Sequence, residues 1–425
     1  MGNETLELEP DRLSITTLQL EAQVPPPAPD EIPNGGLTAW LQVLGSFILF
    51  FNTWGIVNTF GTFQTYYSLN LPQSDSDIAW IGSIAAFLLL LVGIGAGPLY
   101  DAGYFKQLLL FGSFFVVFGM MMTSIATQYW QFMLSQGICM GLGNGLLFVP
   151  SVAIVSQWFT TRKAFATGIA AAGSSLGGVI YPIIFHKLQP KIGFGWTTRV
   201  IAFIMFALLC ISSSVMRVRS QPKAARALLD LSAFQDSAFL LFSGAMFFGF
   251  VGLYTPFFYI QVYALEKGVD PNFAFYLLSL LNVGSIFGRI IPNRLADHIG
   301  PLNVIIPGTI ITAILAFGWI GIVSTPSLII FALLYGFFSG SYVSVPPTVL
   351  MVISPDLKVV GTRMGMCFAI GGCGLLIGTP IAGLLITKYG FIAAITFSAA
   401  AVLAAFVLMV GTRVSRVGWV VKSIE

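Results

Sequence analysis

The chain from Leu37 onwards consists of apolar stretches that alternate with short polar segments. Each stretch is about 20 residues long, the length of helix that crosses a hydrocarbon core about 30 Å thick. Twelve such stretches predict an all-α membrane protein with twelve transmembrane helices. The predicted helices span residues 38–66, 78–99, 107–127, 130–157, 164–186, 197–216, 237–263, 273–293, 302–323, 327–352, 364–387 and 391–412.

The longest polar segment between these helices, residues 217–236, divides them six and six. We therefore predict two pseudo-symmetric six-helix bundles, at residues 37–216 and 237–413, joined by a cytoplasmic linker. Residues 1–36 contain seven acidic residues, one arginine and a group of prolines, which predicts a disordered cytoplasmic tail. Residues 414–425 form a second cytoplasmic tail.

The lysines and arginines are unevenly distributed between the two sides of the predicted membrane. With a cytoplasmic N terminus, 14 of the 20 basic residues lie in cytoplasmic segments and 5 in outer segments. Cytoplasmic loops of membrane proteins carry an excess of these residues. We therefore predict a multi-pass membrane protein with both termini in the cytoplasm, and we expect it in the plasma membrane because no retention signal is visible.

Composition excludes several classes of function. Hydrophobic residues make up 56% of the chain and charged residues 9%, whereas a soluble domain has about 25% charged residues. The net charge of +3 is too small to indicate nucleic-acid binding. The four cysteines lie in apolar stretches without metal-binding spacing to the two histidines, so neither a disulfide framework nor a metal or other cofactor is predicted.

Arg289 lies inside an apolar stretch, where an arginine is costly and usually faces a bundle interior or a water-filled cavity. Asn282, Ser285 and Arg289 are spaced three and four residues apart, which places them on one helix face. A short polar loop is expected to follow at residues 294–298. The pattern indicates part of a transport pathway; the alternative is an arginine that extends to the lipid headgroups.

Other polar side chains in the apolar stretches are candidates for lining a cavity. Asn58 in the first helix and Asn144 in the fourth carry amides that need partners when buried. Tyr259, in the seventh helix, is a candidate for ring stacking or gating. Tyr342 lies in the tenth helix, which the pair Pro346-Pro347 is expected to break. For each of these side chains, packing between helices is the alternative.

Residues 173–177 match the GxSxG pattern of hydrolases. A nucleophile elbow needs a strand-to-helix turn with acid and histidine partners, whereas here the motif lies within a predicted transmembrane helix. Small residues four positions apart allow membrane helices to approach closely. We therefore predict a packing role for this motif and no enzymatic activity.

The segment after the second predicted helix resembles the signature loop of the major facilitator superfamily. The matching residues are Gly97, Leu99, Asp101, Gly103 and Lys106. Ala102 replaces the usual arginine, and a weaker copy with Asp297 follows the eighth helix. The resemblance implies two six-helix bundles that give alternating access to a central site, with charge pairs that form and part at the cytoplasmic gates. The gating residues predicted on this basis are Asp101, Arg162, Asp297 and Arg363.

Motifs at residues 34–40 and 158–178 resemble the fungal branch of the monocarboxylate transporter family. In animal members of that family, a first-helix lysine and an eighth-helix aspartate–arginine pair handle the proton and the carboxylate. The equivalent positions here are Asn58, Ser285 and Arg289, so that only the arginine remains. Fungal relatives carry other cargoes as well, including flavins and exported secondary metabolites.

The sequence therefore predicts a monocarboxylate-transporter-like secondary transporter that moves a small, anionic organic molecule by alternating access. The cargo is expected to be an organic acid or an aromatic metabolite, with Arg289 binding the anion. The other predicted substrate-binding residues are Asn58, Asn144, Asn282, Tyr342 and Tyr259. An efflux carrier for a fungal secondary metabolite and a non-transporting nutrient sensor are the alternatives. Proton coupling, exchange and facilitated diffusion are all left open.

Overall fold

The computed structural model describes residues 33–219, 227–355 and 357–418, together with residue 2. All regular secondary structure in these ranges is helical. Most of the predicted N-terminal tail, part of the linker and the final residues of the C-terminal tail lie outside the described residues.

The helices long and apolar enough to cross a membrane follow one another with short connections. We number them α1 to α12, with α5 and α6 forming the single helical stretch Lys163–Val215. The others are α1 Leu37–Asn70, α2 Asp75–Asp101, α3 Phe105–Thr123, α4 Tyr129–Trp158, α7 Ser237–Glu266, α8 Pro271–Ile299, α9 Pro301–Gly321, α10 Thr325–Ile353, α11 Leu357–Tyr389 and α12 Phe391–Val417.

The stretch Lys163–Val215 contains two membrane-crossing helices. At a rise of 1.5 Å per residue its 53 residues would extend about 80 Å, far more than a membrane is thick. Gly193 interrupts it with φ 75° and ψ 169°, a conformation that glycine adopts without strain. Residues 163–192 therefore form α5 and residues 194–215 form α6, and the prediction of twelve helices is confirmed. The loop expected between them is helical on both sides of Gly193.

Three helices are interrupted: the two first helices of the halves, which correspond to each other, and α10. The first helix of each half is broken, α1 at Thr53 and Thr59 and α7 at Tyr254. The hydroxyls of Thr53 and Thr59 donate hydrogen bonds to the carbonyls of Leu49 and Gly55, which also accept from the backbone N–H groups of the same two threonines. The break predicted in α10 is present: the helix stops at Ser344 and resumes at Pro346.

The loop expected at residues 294–298 is absent. The helix α8 continues to Ile299, and the connection to α9 is the single residue Gly300, with φ 90°. Charged residues can extend a helix beyond the hydrocarbon region because water solvates their side chains while the backbone hydrogen bonds continue. The polarity at residues 294–298 therefore marks the edge of the membrane and not the end of the helix.

The small residues of the GxSxG segment pack α5 against α1, as predicted. A Cβ atom added to Gly173 would lie 2.1 Å from the carbonyl oxygen of Phe47, and one added to Gly177 would lie 2.4 Å from that of Phe51. Ser174 donates a hydrogen bond to Ala171 within its own helix. These separations leave no space for larger side chains, so the glycines fix the distance between the two helices.

The two halves contact each other mainly through α5 against α8 and α2 against α11, and through the second parts of α1 and α7. We call the end of the bundle that contains Asp297 the inner end, after the predicted topology, and the opposite end, which contains Asp75, the outer end. The interface between the halves runs from one end to the other. Side chains at this interface therefore determine what can pass between the halves.

Candidate functional site

Arg289 is almost completely buried in α8, with 1% of its surface exposed. Its Nε donates a hydrogen bond to Ser285 Oγ at 3.3 Å, one turn earlier on the same helix. No carboxylate in the described part of the chain forms an ion pair with it. A buried guanidinium without a counter-ion is energetically costly, so this position is a candidate site for an external anion.

A pair of serines connects Arg289 to the other half of the molecule. Ser175 of α5 donates a hydrogen bond to Ser285 of α8 at 3.0 Å, and Ser285 in turn accepts from Arg289. Closer to the inner end, a Cβ atom added to Gly168 would lie 2.5 Å from the carbonyl oxygen of Arg289. Arg289 therefore lies where α5 and α8 are in direct contact, at the interface between the halves.

Two aromatic rings meet across the same interface. Trp54 of α1 and Tyr254 of α7 are stacked, with ring centroids 6.1 Å apart and planes inclined by 28°. Both side chains are buried, and the Tyr254 hydroxyl has no hydrogen-bond partner in the described structure. Tyr254 is also within electrostatic range of Arg289. A flat apolar surface and an unpaired cation are therefore close together.

Two predicted amides, Asn282 at this interface and Asn58 beside α5 within the N-terminal half, have unused acceptors. Asn58 donates a long hydrogen bond of 3.5 Å to the carbonyl of Ser174, and Asn282 donates one of 3.0 Å to Leu278. The side-chain oxygen of each has no partner among the described residues. A Cβ atom added to Gly178 would lie 2.4 Å from Asn282 Oδ1, so this amide points directly at α5. Buried acceptors without partners are rare and indicate a place where a donor is expected.

Asn144 lines a small cavity inside the N-terminal half. The cavity measures about 10 Å³, room for about one water molecule. Neither atom of the Asn144 amide has a partner in the described structure, whereas Gln136, also in the cavity wall, accepts a hydrogen bond from Tyr67 at 2.7 Å. The remaining lining residues are Ile56, Val57, Phe60, Gly82, Ala85 and Met140.

The hydroxyls of the two predicted tyrosines are already engaged. Tyr342 donates to the carbonyl of Ala245 at 2.7 Å, and Tyr259 donates to the carbonyl of Thr379 at 3.1 Å. Tyr342 therefore joins α10 to α7 within the C-terminal half. Tyr259 joins α7 to α11 near the outer end, close to Ser76 of α2. Neither hydroxyl is directed at Arg289.

At the inner end, Asp297 of α8 binds the first turn of α5. Its carboxylate accepts hydrogen bonds from the backbone N–H groups of Ala164, at 3.2 Å, and Phe165, at 3.0 Å. Free N–H groups and the helix dipole make a helix N terminus favourable for a negative charge. Asp297 therefore joins the two halves at the inner end by capping a helix of the other half.

The other predicted gating residues have different surroundings. Arg162, just before α5, is exposed, and Asp101, at the end of α2, is 7% exposed. Asn34 stabilises the loop before α5, since its Oδ1 accepts hydrogen bonds from the N–H groups of Thr160, at 2.7 Å, and Thr161, at 3.0 Å. The inner closure thus rests on contacts to loop and helix backbone.

Arg363 of α11 is part of a charged cluster with the linker. Its Nε is 2.9 Å from Asp230 Oδ2, and its Nη1 is 2.6 Å from Asp236 Oδ2. Its guanidinium carbon lies 5.6 Å from the centre of the Phe239 ring. Asp236 also caps α7 through the N–H groups of Ala238 and Phe239. These contacts attach the segment before α7 to α11, both of which belong to the C-terminal half.

Of the predicted set, the structure places Arg289 and Asn282 where α5 meets α8, and Tyr259 near the outer end beside Ser76 of the other half. The described contacts of Asn58, Asn144 and Tyr342 lie within their own halves. Three residues at or near the site had not been predicted: Trp54, Tyr254 and Gln136. Gln136 could have been found, because it is a polar residue in an apolar stretch eight positions before Asn144. Trp54 and Tyr254 carry no such signal in a chain with 38 phenylalanines and 13 tyrosines.

Comparison with known proteins supplies the wider context. The profile of the Major Facilitator Superfamily matches residues 43–325 and, in a second overlapping match, 240–422. The chain is 47% identical to the MFS-type transporter dbaD of Emericella nidulans over 357 residues, covering 83% of this chain and 80% of that protein. It is 40% identical to the aspyridones efflux protein apdF of the same organism over 395 residues, covering 92% of this chain and 81% of that protein.

Among solved structures, the chain is similar to that of the transporter FucP in its outward conformation. The TM-score is 0.65 with 17% sequence identity, and the match covers 88% of this chain and 99% of that one. At this identity the similarity shows a shared fold. It agrees with the arrangement of twelve helices in two halves.

Proposed function

The chain belongs to the Major Facilitator Superfamily, and on that premise we propose that this transporter exports a small organic acid by alternating access, with Arg289 binding the acidic group. The observation that carries the proposal is the burial of Arg289 at the interface between the halves without a carboxylate partner. A carboxylate or a similar anion would supply the missing charge through paired hydrogen bonds to the guanidinium.

The remaining groups at the interface suit an organic acid with an apolar, flat body. Trp54 and Tyr254 offer ring faces, and the unused oxygens of Asn58 and Asn282 can accept hydrogen bonds from hydroxyl or amide groups of the cargo. Asn144 would contribute from the cavity in the N-terminal half. Tyr342 and Tyr259 would act indirectly, because their hydroxyls hold neighbouring helices in position.

The direction of transport and the branch of the superfamily are part of the proposal. Export is supported by the similarity to an aspyridones efflux protein, and the motifs at residues 34–40 and 158–178 support a place near the monocarboxylate transporters. At the inner end, Asp297 and Asp101 would hold the closed gate, while Arg162 would form pairs only in another conformation. Arg363 would transmit movement of the linker to α11.

The cargo test uses purified protein in sealed vesicles and two probes of the same shape, 2-naphthoate and the neutral 2-naphthamide. We expect flux of the acid above that in protein-free vesicles, and no such excess for the amide.

Arg289→Gln should reduce acid flux about 100-fold, because a hydrogen-bonded charge contact contributes roughly 3 kcal/mol. Arg294→Gln, a change at an exposed arginine on the same helix, is the matched control and should retain the flux. Equal flux of acid and amide, or an unchanged rate in Arg289→Gln, would contradict the proposal.

We further propose that the transporter resides in the plasma membrane with both termini in the cytoplasm. A single cysteine at position 327, in the first turn of α10, should be labelled by an impermeant reagent from outside intact cells. A cysteine at position 354, just after α10, should be labelled only after the cells are opened. The reverse pattern would contradict the topology.

A further inference from the structure

No aspartate, glutamate or histidine of the described residues lies beside Arg289 in the interior of the helix bundle. The acidic residues of the described ranges all lie towards helix ends or in the linker: Asp75, Asp77, Asp101, Asp230, Asp236, Glu266, Asp270 and Asp297. The other nine acids of the chain are at residues 4–31, 356 and 425. His186, in the outer part of α5, stacks on Phe275 of α8. His298 is the penultimate residue of α8. The positive charge of Arg289 therefore has no carboxylate partner among the described residues.

Both ends of the bundle are closed around this charge in the present conformation. At the inner end Asp297 caps α5, and at the outer end Ser76 of α2 donates a hydrogen bond to the carbonyl of Pro380 on α11 at 2.9 Å. Ser83 and Thr379 make a second contact between α2 and α11, at 2.6 Å. Arg289 is removed from water as a result. Alternating access requires passage through a closed conformation of this kind.

The closed conformation should have very different free energies with and without a bound anion. Without an anion, the closed conformation buries an uncompensated cation. The cost of a buried arginine on membrane insertion scales, added to the barrier, would slow the change of access on the order of 100-fold. With a monovalent anion on Arg289, the net charge of the site is zero and this cost is largely removed. The Ser285 hydroxyl that is bound to the guanidinium is neutral and leaves its net charge unchanged.

We infer that this protein is an anion exchanger, which changes its access from one side of the membrane to the other only while an anion is bound at Arg289. This inference rests on the proposed function and adds the mode of transport. Export of one organic anion is then coupled to entry of another. No carboxylate or histidine carries a proton in this exchange, because the described part of the bundle interior has none beside Arg289.

The first test measures uptake of labelled naphthalene-2-sulfonate into vesicles that contain purified protein. This anion has the ring of the naphthoate probe, crosses lipid poorly and is not protonated at neutral pH, so diffusion and proton symport do not contribute. Vesicles are loaded with the same unlabelled anion or with gluconate, and potassium with valinomycin holds the membrane potential at zero. We expect initial uptake at least about 10-fold faster with the unlabelled anion inside. Equal rates in the two preparations would overturn the inference.

The second test supplies the missing counter-ion from within the protein. Since Ser285 Oγ is 3.3 Å from Arg289 Nε, an aspartate at position 285 would place a carboxylate beside the guanidinium. Ser285→Asp should therefore reduce the ratio of the two uptake rates to about 1, by allowing the carrier to change access without cargo. Ser285→Asn introduces a side chain of the same size as aspartate but without charge, and it should keep a high ratio of the two uptake rates. Equal ratios in the two variants would also overturn the inference.

Failure of the inference and failure of the proposed function give different results. If wild-type protein moves none of the aromatic anions, including benzoate, salicylate and 2-naphthoate, under either loading condition, the proposed function is wrong and the inference falls with it. If Arg289 is required for uptake and the internal anion has no effect, the proposed function remains and exchange alone is excluded.

Discussion

Arg289 and Arg363 are both buried arginines, with 1% and 2% of their surfaces exposed, but their partners differ completely. Arg363 contacts two carboxylates, Asp230 at 2.9 Å and Asp236 at 2.6 Å. Arg289 has a serine hydroxyl at 3.3 Å and no carboxylate from the described chain. One guanidinium is fully compensated by its own protein, and the other is not.

The difference separates an arginine that holds the structure together from one that binds something else. Replacing one partner of a compensated pair leaves an uncompensated charge, whereas replacing an unpaired charge removes an existing cost. Burial by itself therefore does not distinguish the two roles. The position of the nearest carboxylate does, and it predicts opposite effects of the same substitution at the two sites.

The largest effect on stability is expected for Arg363→Gln. It leaves Asp230 and Asp236 without their cation, and because both carboxylates retain some contact with water, we expect a loss of about 2 kcal/mol. Thermal unfolding of the detergent-solubilised protein measures the change. A double-mutant cycle with Asp230→Asn isolates the contribution of that pair. A loss no larger than that of the exposed control Arg294→Gln would show that the cluster does not stabilise the protein.

A smaller loss of thermal stability is expected at acidic pH. Hydrogen bonds from Ser232, and then from Arg363, lower the pKa of Asp230 below its usual range. A carboxyl group whose pKa is lowered by folding stabilises the protein fully above its unfolded pKa of about 3.9 and loses that contribution as the pH falls through the folded value. The thermal stability of the wild type should therefore decrease below about pH 4, and more steeply than that of Asp230→Asn. Parallel curves for the two proteins would exclude Asp230 as the source.

The smallest effect on stability is expected for Arg289→Gln, although it should reduce transport about 100-fold. Glutamine is polar and removes the uncompensated charge, so we expect stability to increase slightly, by less than about 1 kcal/mol. The same unfolding assay measures it. A loss comparable to that of Arg363→Gln would mean that Arg289 is compensated within the protein, and the contrast between the two arginines would disappear.

The helices could be predicted from the sequence with good accuracy. The twelve predicted helices are present, because the bilayer imposes a minimum apolar length that is visible in any window of about 20 residues. Errors occur where polarity and helix ends do not coincide. The helix α8 continues through charged residues to Ile299, and α5 and α6 are separated only at Gly193, since a helix needs an apolar surface inside the membrane but not beyond it.

The candidate site could be predicted only in part. Arg289 stands out because a charge in an apolar stretch is rare, and Asn58 and Asn282 stand out as amides in such stretches. Their assignment to substrate binding remains a prediction. Tyr259 and Tyr342 are predicted from their positions near prolines in the seventh and tenth helices, yet their hydroxyls bind backbone carbonyls of neighbouring helices. A sequence shows that a polar group needs a partner but not whether a neighbouring helix provides one.

The sequence alone determined that this chain crosses a membrane twelve times, that it resembles a known transporter superfamily and that one arginine lies in an apolar helix. These properties depend on local composition, which is written in consecutive residues. Only the tertiary structure decided that Trp54 meets Tyr254, that Asp297 caps α5 and that Arg363 has carboxylate partners while Arg289 has none. Those contacts join residues that are far apart in the chain, and they exist only because packing of the helices brings particular faces together.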